Sequence, residues 1–173
     1  MSECRLEDIS LFQDLSPGEI ESASAAFSCM TLEQGRALIT EGEPGDDMFI
    51  LIEGRVRVSK SMILAGLNAP ILEAEDPRKV LATMDAGDFP FFGEMALIDK
   101  DIRSATVTAL EDCRFLRITR DAFYALIASD PGLGTKLLLA LCRRLASAVR
   151  RNNGEIIKLT TALALVLSRK KSA

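Results

Sequence analysis

The chain changes its hydrophobic period twice. Near the start, Ser16-Pro17-Gly18-Glu19 reads as a helix N-terminus. Ser16 can cap, Pro17 fits the first helical position, and Glu19 can reach back. Ile20, Ala23 and Phe27 then recur at helical spacing. From Thr31 short apolar runs alternate with Gly, Pro and Asp turns: Ala37-Leu38-Ile39, Met48 to Ile52, then Val56 and Val58 set against Arg55, Arg57 and Ser59. That is the pattern of half-exposed strands in an antiparallel barrel or jelly roll. Residues 61–79 read as an extended hairpin or insertion. Val80 to Met84 follows, closed by an Asp85-Ala86-Gly87-Asp88 turn. Arg103 to Leu110 alternates with Ala105, Val107 and Ala109 on one face, and Cys113 to Ile118 reads as the last strand.

Helical spacing then returns. Thr119 can cap a helix holding Phe123, Leu126 and Ile127, and Asp130-Pro131 is a second start. Leu138, Cys142, Leu145, Val149, Asn152, Ile156, Leu159, Leu163 and Val166 form a heptad seam with one polar position. Asn152-Asn153-Gly154 is also a plausible stop, so one long helix or two are both consistent with it. Such a seam is commonly internal core. Its length, beyond what one barrel covers, favours a homodimer contact.

Composition narrows the function. The 173 residues fit one domain, 48% hydrophobic and 27% charged. No apolar run is long enough to span a bilayer, and the start does not read as a signal peptide. Cys4, Cys29, Cys113 and Cys142 have no metal or redox spacing and read as reduced, mostly buried thiols of a cytoplasmic protein. There is no histidine, which removes Ser-His and Cys-His nucleophile systems and the usual zinc sites. Without a nucleophile, base or metal set, an enzyme is not expected. Residues 1–141 hold 13 Lys/Arg against 24 Asp/Glu, and residues 142–173 hold 8 against one. A basic helix neutralising an acidic body is the favoured reading over nucleic-acid or membrane contact.

One constellation carries chemistry. Arg103 shares the parity of Ala105, Val107 and Ala109, so it should point inward, where a guanidinium needs an anion. Gly93 allows close approach to the backbone, and a helical turn from Glu94 to Leu97 would present N–H groups to that anion. Glu94 is an acceptor only and suits sugar hydroxyls better than a phosphate. A cyclic nucleotide satisfies both residues; a structural Glu94–Arg103 ion pair is the competing account.

Phe92-Gly93-Glu94-Met95-Ala96-Leu97 with Arg103-Ser104-Ala105-Thr106 resembles the phosphate-binding cassette of the cyclic-nucleotide-binding domain family. So does Gly42-Glu43-Pro44-Gly45-Asp46-Asp47-Met48-Phe49-Ile50-Leu51 with Gly54. The resemblance implies an α+β, mainly β fold. An eight-stranded antiparallel jelly-roll barrel would carry an N-terminal helix and long C-terminal helices. Residues 1–153 would be the binding domain and 154–173 a helical extension of it. It further implies that Glu94 accepts from a ribose 2′-hydroxyl and that Arg103 pairs with the cyclic phosphate. Gly93, Met95, Ala96, Ser104 and Ala105 would complete the cradle. No cofactor or metal is implied, only a nucleotide ligand. Ser104 after the arginine favours cAMP over cGMP. Where the family often has a proline before the arginine, this chain has Ile102. The adenine-contacting Thr-Ser pair of the bacterial catabolite activators falls on Ala148 and Val149. Only 20 residues follow Asn153, too few for those regulators' winged helix-turn-helix, so sequence-specific DNA binding is not expected. The expectation is a regulatory sensor signalling through its C-terminal helices to an effector. The alternative is a degenerate interaction or dimerisation module that binds no nucleotide.

Overall fold

The computed structural model describes residues 6–61 and 78–171; the expected hairpin falls largely outside them. Eight strands occur in order: β1 (Ser28–Leu32), β2 (Ala37–Ile39), β3 (Asp47–Glu53), β4 (Arg55–Ser61), β5 (Arg78–Asp85), β6 (Phe91–Phe92), β7 (Thr106–Ala109) and β8 (Cys113–Thr119). Four helices accompany them: α1 (Pro17–Ser24), α2 (Glu94–Asp99), α3 (Arg120–Ser129) and α4 (Pro131–Lys171).

The strands make two antiparallel four-stranded sheets, ordered β1-β8-β3-β6 and β2-β7-β4-β5. The eight antiparallel strands expected above are present as these two sheets, and no hydrogen-bonded closure into a single barrel is found among the described residues. β6 spans only two residues, so it cannot carry a ladder onward from its edge.

The sequence pattern of each strand follows from what lies on its two faces. β3 is buried on both. Phe49 and Leu51 face the layer between the sheets, with Val56, Phe92, Val107 and Phe115. Met48 and Ile50 face the helices, with Phe12, Leu97, Phe123, Leu133 and Leu137. A strand buried on both faces reads as a continuous apolar run, and Met48 to Ile52 does. β4 has one solvent face, hence exposed Arg55 and Arg57 beside buried Val56. Its alternation breaks at a register shift between Val58 and Ser59, and Ser59 is buried, not exposed as simple alternation had it.

The helix ends form as their caps dictate. Ser16 and Glu19 make the reciprocal capping box. Glu19 also takes Lys136 Nζ at 2.8 Å, fastening α1 to α4. Phe27 lies beyond the end of α1, yet packs edge-on to Phe12. Thr119 caps α3 through Ala122 N–H, and Asp130 accepts from Leu133 N–H at 3.0 Å.

α4 runs 41 residues without a break, about 60 Å at 1.5 Å per residue. Asn152-Asn153-Gly154 therefore does not stop it. A helical glycine costs only about 1 kcal/mol against alanine. Leu133, Leu137 and Leu141 are buried against the sheets. Farther along the seam Val149, Ile156, Leu159 and Leu163 stand 58–60% exposed. No described helix is long and apolar enough to cross a membrane. Of the three described cysteines only Cys113 is buried; Cys29 and Cys142 are exposed, against the expectation of mostly buried thiols.

Candidate functional site

The strand that was to carry Arg103 inward is shorter than its alternation suggests. β7 begins at Thr106, and the chain bends at Ser104 and Ala105. Arg103 is nevertheless 7% exposed. Its backbone is held from outside the strand: Arg103 N–H donates to Glu43 C=O and Gly42 N–H to Arg103 C=O, both at 2.9 Å. An isolated bridge between Pro44 and Ile102 continues this pairing.

Two glycines make room for the guanidinium. A methyl added at Gly45 would fall on Arg103 Nε, and one at Gly93 would fall on Arg103 Nη1. Gly93 also has φ 87°, the left-handed region that suits glycine, and it turns the chain from β6 into α2.

The buried anion beside Arg103 is Asp47, not Glu94. Arg103 Nη1 donates to Asp47 C=O at 2.8 Å, and Nη2 donates to its carboxylate. The other carboxylate oxygen takes Arg117 Nε at 2.7 Å. Asp47 is 9% exposed, so the pair is buried and well satisfied. The sequence showed Asp47 only as part of the upstream family-like motif and did not reveal this role. The available signal was a carboxylate heading an apolar strand, where an ion must find a partner.

Glu94 sits half-buried at the start of α2, with no ion pair among the described residues. Burial pushes its carboxyl above the usual range, and the charges of Arg144 and Arg103 pull it back only in part. Arg144, from α4, lies over the Phe91 ring at 4.7 Å.

Gly93, Glu94, Met95, Ala96, Arg103, Ser104 and Ala105 line one cavity of about 180 Å³. Ile39, Val58, Met84 and Val107, apolar residues that the sequence reading did not assign, and Arg144 line the same cavity. Ser104 Oγ lies 3.9 Å from Met95 Sδ, and Ser104 C=O accepts from Lys60 Nζ at 2.7 Å. Ala148 and Val149 do not line the cavity. Among the described residues no group of His, Cys, Asp or Glu could hold a metal ion.

The model of the cyclic nucleotide-binding domain matches residues 29–130, which hold every lining residue named above except Arg144. The chain belongs to the cyclic-nucleotide-binding domain family. It is 30% identical over 149 residues to a CRP-like cAMP-activated global transcriptional regulator of Mycobacterium tuberculosis, covering 86% of this chain and 59% of that protein. The cyclic AMP receptor protein of Thermus thermophilus is 31% identical over 138 residues, with 80% of this chain and 58% of that one covered. The chain thus spans about three fifths of these relatives. Among solved structures, a cyclic nucleotide-binding domain from Methylobacillus flagellatus superposes with a TM-score of 0.73 at 29% identity. That match covers 88% of this chain and 82% of the other. Within this family, Asp47 and Gly45 are the features of the present member that the motif alone did not bring into the site.

Proposed function

We propose that this chain is a regulatory sensor of cyclic nucleotides, with cAMP as the preferred ligand and the C-terminal helices as the output. The observation that carries the reading is the cavity wall itself. A buried guanidinium and a half-buried carboxylate with raised proton affinity share it with apolar side chains. A phosphate monoanion suits Arg103, a ribose hydroxyl suits Glu94, and a purine suits Ile39, Val58, Met84 and Val107. Gly93, Met95, Ala96, Ser104 and Ala105 complete the cradle in this reading. Asp47 then has a defined part. It holds Arg103 in place between ligands, and its two arginines let it keep Arg117 when Arg103 turns to phosphate.

Residues 1–153 serve as the binding domain and 154–173 as its extension. The exposed seam of α4 serves as a homodimer contact, and the protein works in the cytoplasm on an effector without catalysing a reaction. The test is a melting experiment with cAMP, cGMP and 5′-AMP. A ligand at a hundred times its Kd stabilises by about 2.7 kcal/mol, or about 5–10 °C for a domain of this size. The shift is expected with cAMP, less with cGMP and not with 5′-AMP.

A second reading, an interaction module that binds no nucleotide, draws on one observation: Arg103 already has a buried partner. It predicts the same melting temperature with and without every nucleotide.

A further inference from the structure

Phe91 and Arg144 have a second side. Behind them lies another cavity, about 250 Å³, formed with Ser10, Gln13, Arg143, Ser147 and Arg151. Arg143, Ser147 and Arg151 follow at four-residue intervals on α4 and stack along one face. Three guanidiniums thus meet in one groove with no carboxylate among its lining residues.

Their engagements leave donors free. Arg143 Nη1 donates to Asp14, a pair in which both side chains are exposed. Arg144 spends the face of its guanidinium on the Phe91 ring, not its N–H groups. Arg151 is exposed and has no partner among the described residues. A guanidinium offers five donors and no acceptor, and the Ser10 and Ser147 hydroxyls and the Gln13 amide add more. Like charges stacked along a helix repel. The Asp14 carboxylate at the rim opposes an incoming anion, but exposed pairs of this kind are weak and easily exchanged.

We propose that this groove binds the phosphoryl group of a small soluble ligand, a phosphate monoester or diphosphate. Several forked donors converging with hydroxyls match an anion with many acceptor oxygens better than a single carboxylate. The groove lies on the side of α4 away from the seam, so a dimer through the seam leaves it open. Arg144 forms the wall common to both cavities. Filling the groove draws that charge from Glu94 and sets a second anion beside the first. Occupancy therefore weakens cyclic-nucleotide binding; this coupling, unlike the site, rests on the function proposed above.

The probe is inorganic pyrophosphate on the full chain, without cyclic nucleotide and at matched ionic strength. Melting of the native chain is expected to rise by several degrees at a saturating, millimolar concentration. Arg151→Gln, which lies outside the nucleotide pocket, should lose most of that rise. No rise in the native chain, or an equal rise in Arg151→Gln, would overturn the site. So would capture of the chain by phosphatidate vesicles with no response to pyrophosphate. In a second arm the Kd for cAMP should rise several-fold with pyrophosphate in the native chain and not in Arg151→Gln. An unchanged Kd in the native chain would overturn the coupling. Because the first arm contains no cyclic nucleotide, its outcome is independent of whether the pocket binds one.

Discussion

The pocket around Arg103 and the free half of α4 are opposites. At Arg103 everything is specified within the chain: a buried carboxylate, two glycines that admit the guanidinium, and a loop that grips the backbone. Past Val149 none of the described residues covers the helix, and a row of large apolar side chains stands exposed. The first region is complete alone and needs only a small ligand. The second stands open among the described residues, and in the function proposed above a second chain covers it. Apolar surface of that extent on a helix is costly unless it is covered.

The largest effects should separate the two regions. Arg103→Ala leaves Asp47 with half its partners, and breaking a buried pair costs about 3–5 kcal/mol. Melting should fall by on the order of 6–20 °C, and nucleotide affinity by at least about 100-fold. Arg103→Lys keeps the charge without the fork, so it should bind nucleotide far more weakly while melting closer to the native chain. Leu159→Asp should do the reverse. It sets like charges across the proposed dimer seam, so sedimentation should show single chains, and it should leave the melting of the roll and the nucleotide affinity per chain nearly unchanged. Equal loss of nucleotide binding in Leu159→Asp would erase the distinction between the regions.

Glu94→Gln sharpens the comparison from the pocket side. Burial raises the Glu94 carboxyl above its ordinary 4.5. A carboxyl raised in the fold costs stability when ionised. That cost is absent below pH 4.5, grows as pH climbs from 4.5, and is complete once pH passes the raised folded value. The variant should therefore melt slightly higher than the native chain at pH 7 and equally below 4.5, yet bind cAMP more weakly. The smallest effect is at α1. Lys136, with help from Ser16, holds the Glu19 carboxyl down to about 2. A depressed carboxyl gives stability above 4.5 that is lost as pH falls toward 2, so Glu19→Gln should flatten the acid limb of the melting curve. The Glu19–Lys136 pair is only partly shielded from solvent, so the change is small.

Legibility in the sequence follows the same division. Met48 to Ile52, the capping box at Ser16 and the starts at Thr119 and Asp130 were readable because each depends on neighbours in the chain. Arg103 was turned inward by strand parity, and it is buried, although the strand itself begins only at Thr106. The partner of that arginine was not readable. Asp47 is 56 residues away, and its role appears only when β3 and the Arg103 loop meet. Ser59 was misassigned because a register shift reverses facing without changing composition. The two-residue β6 carries too little pattern to be seen. Asn152-Asn153-Gly154 shows the opposite failure: a local stop signal overridden by strong helix formers on both sides.

The central claim is that Arg103 and Glu94 hold a cyclic nucleotide. Calorimetry of cAMP against the native chain and against Arg103→Lys tests it most directly. One saturable site per chain is expected in the native protein, with affinity at least about 30-fold lower in the variant, a cost of about 2 kcal/mol. Absence of heat at millimolar cAMP with the fold intact, or equal affinity in both proteins, would contradict it.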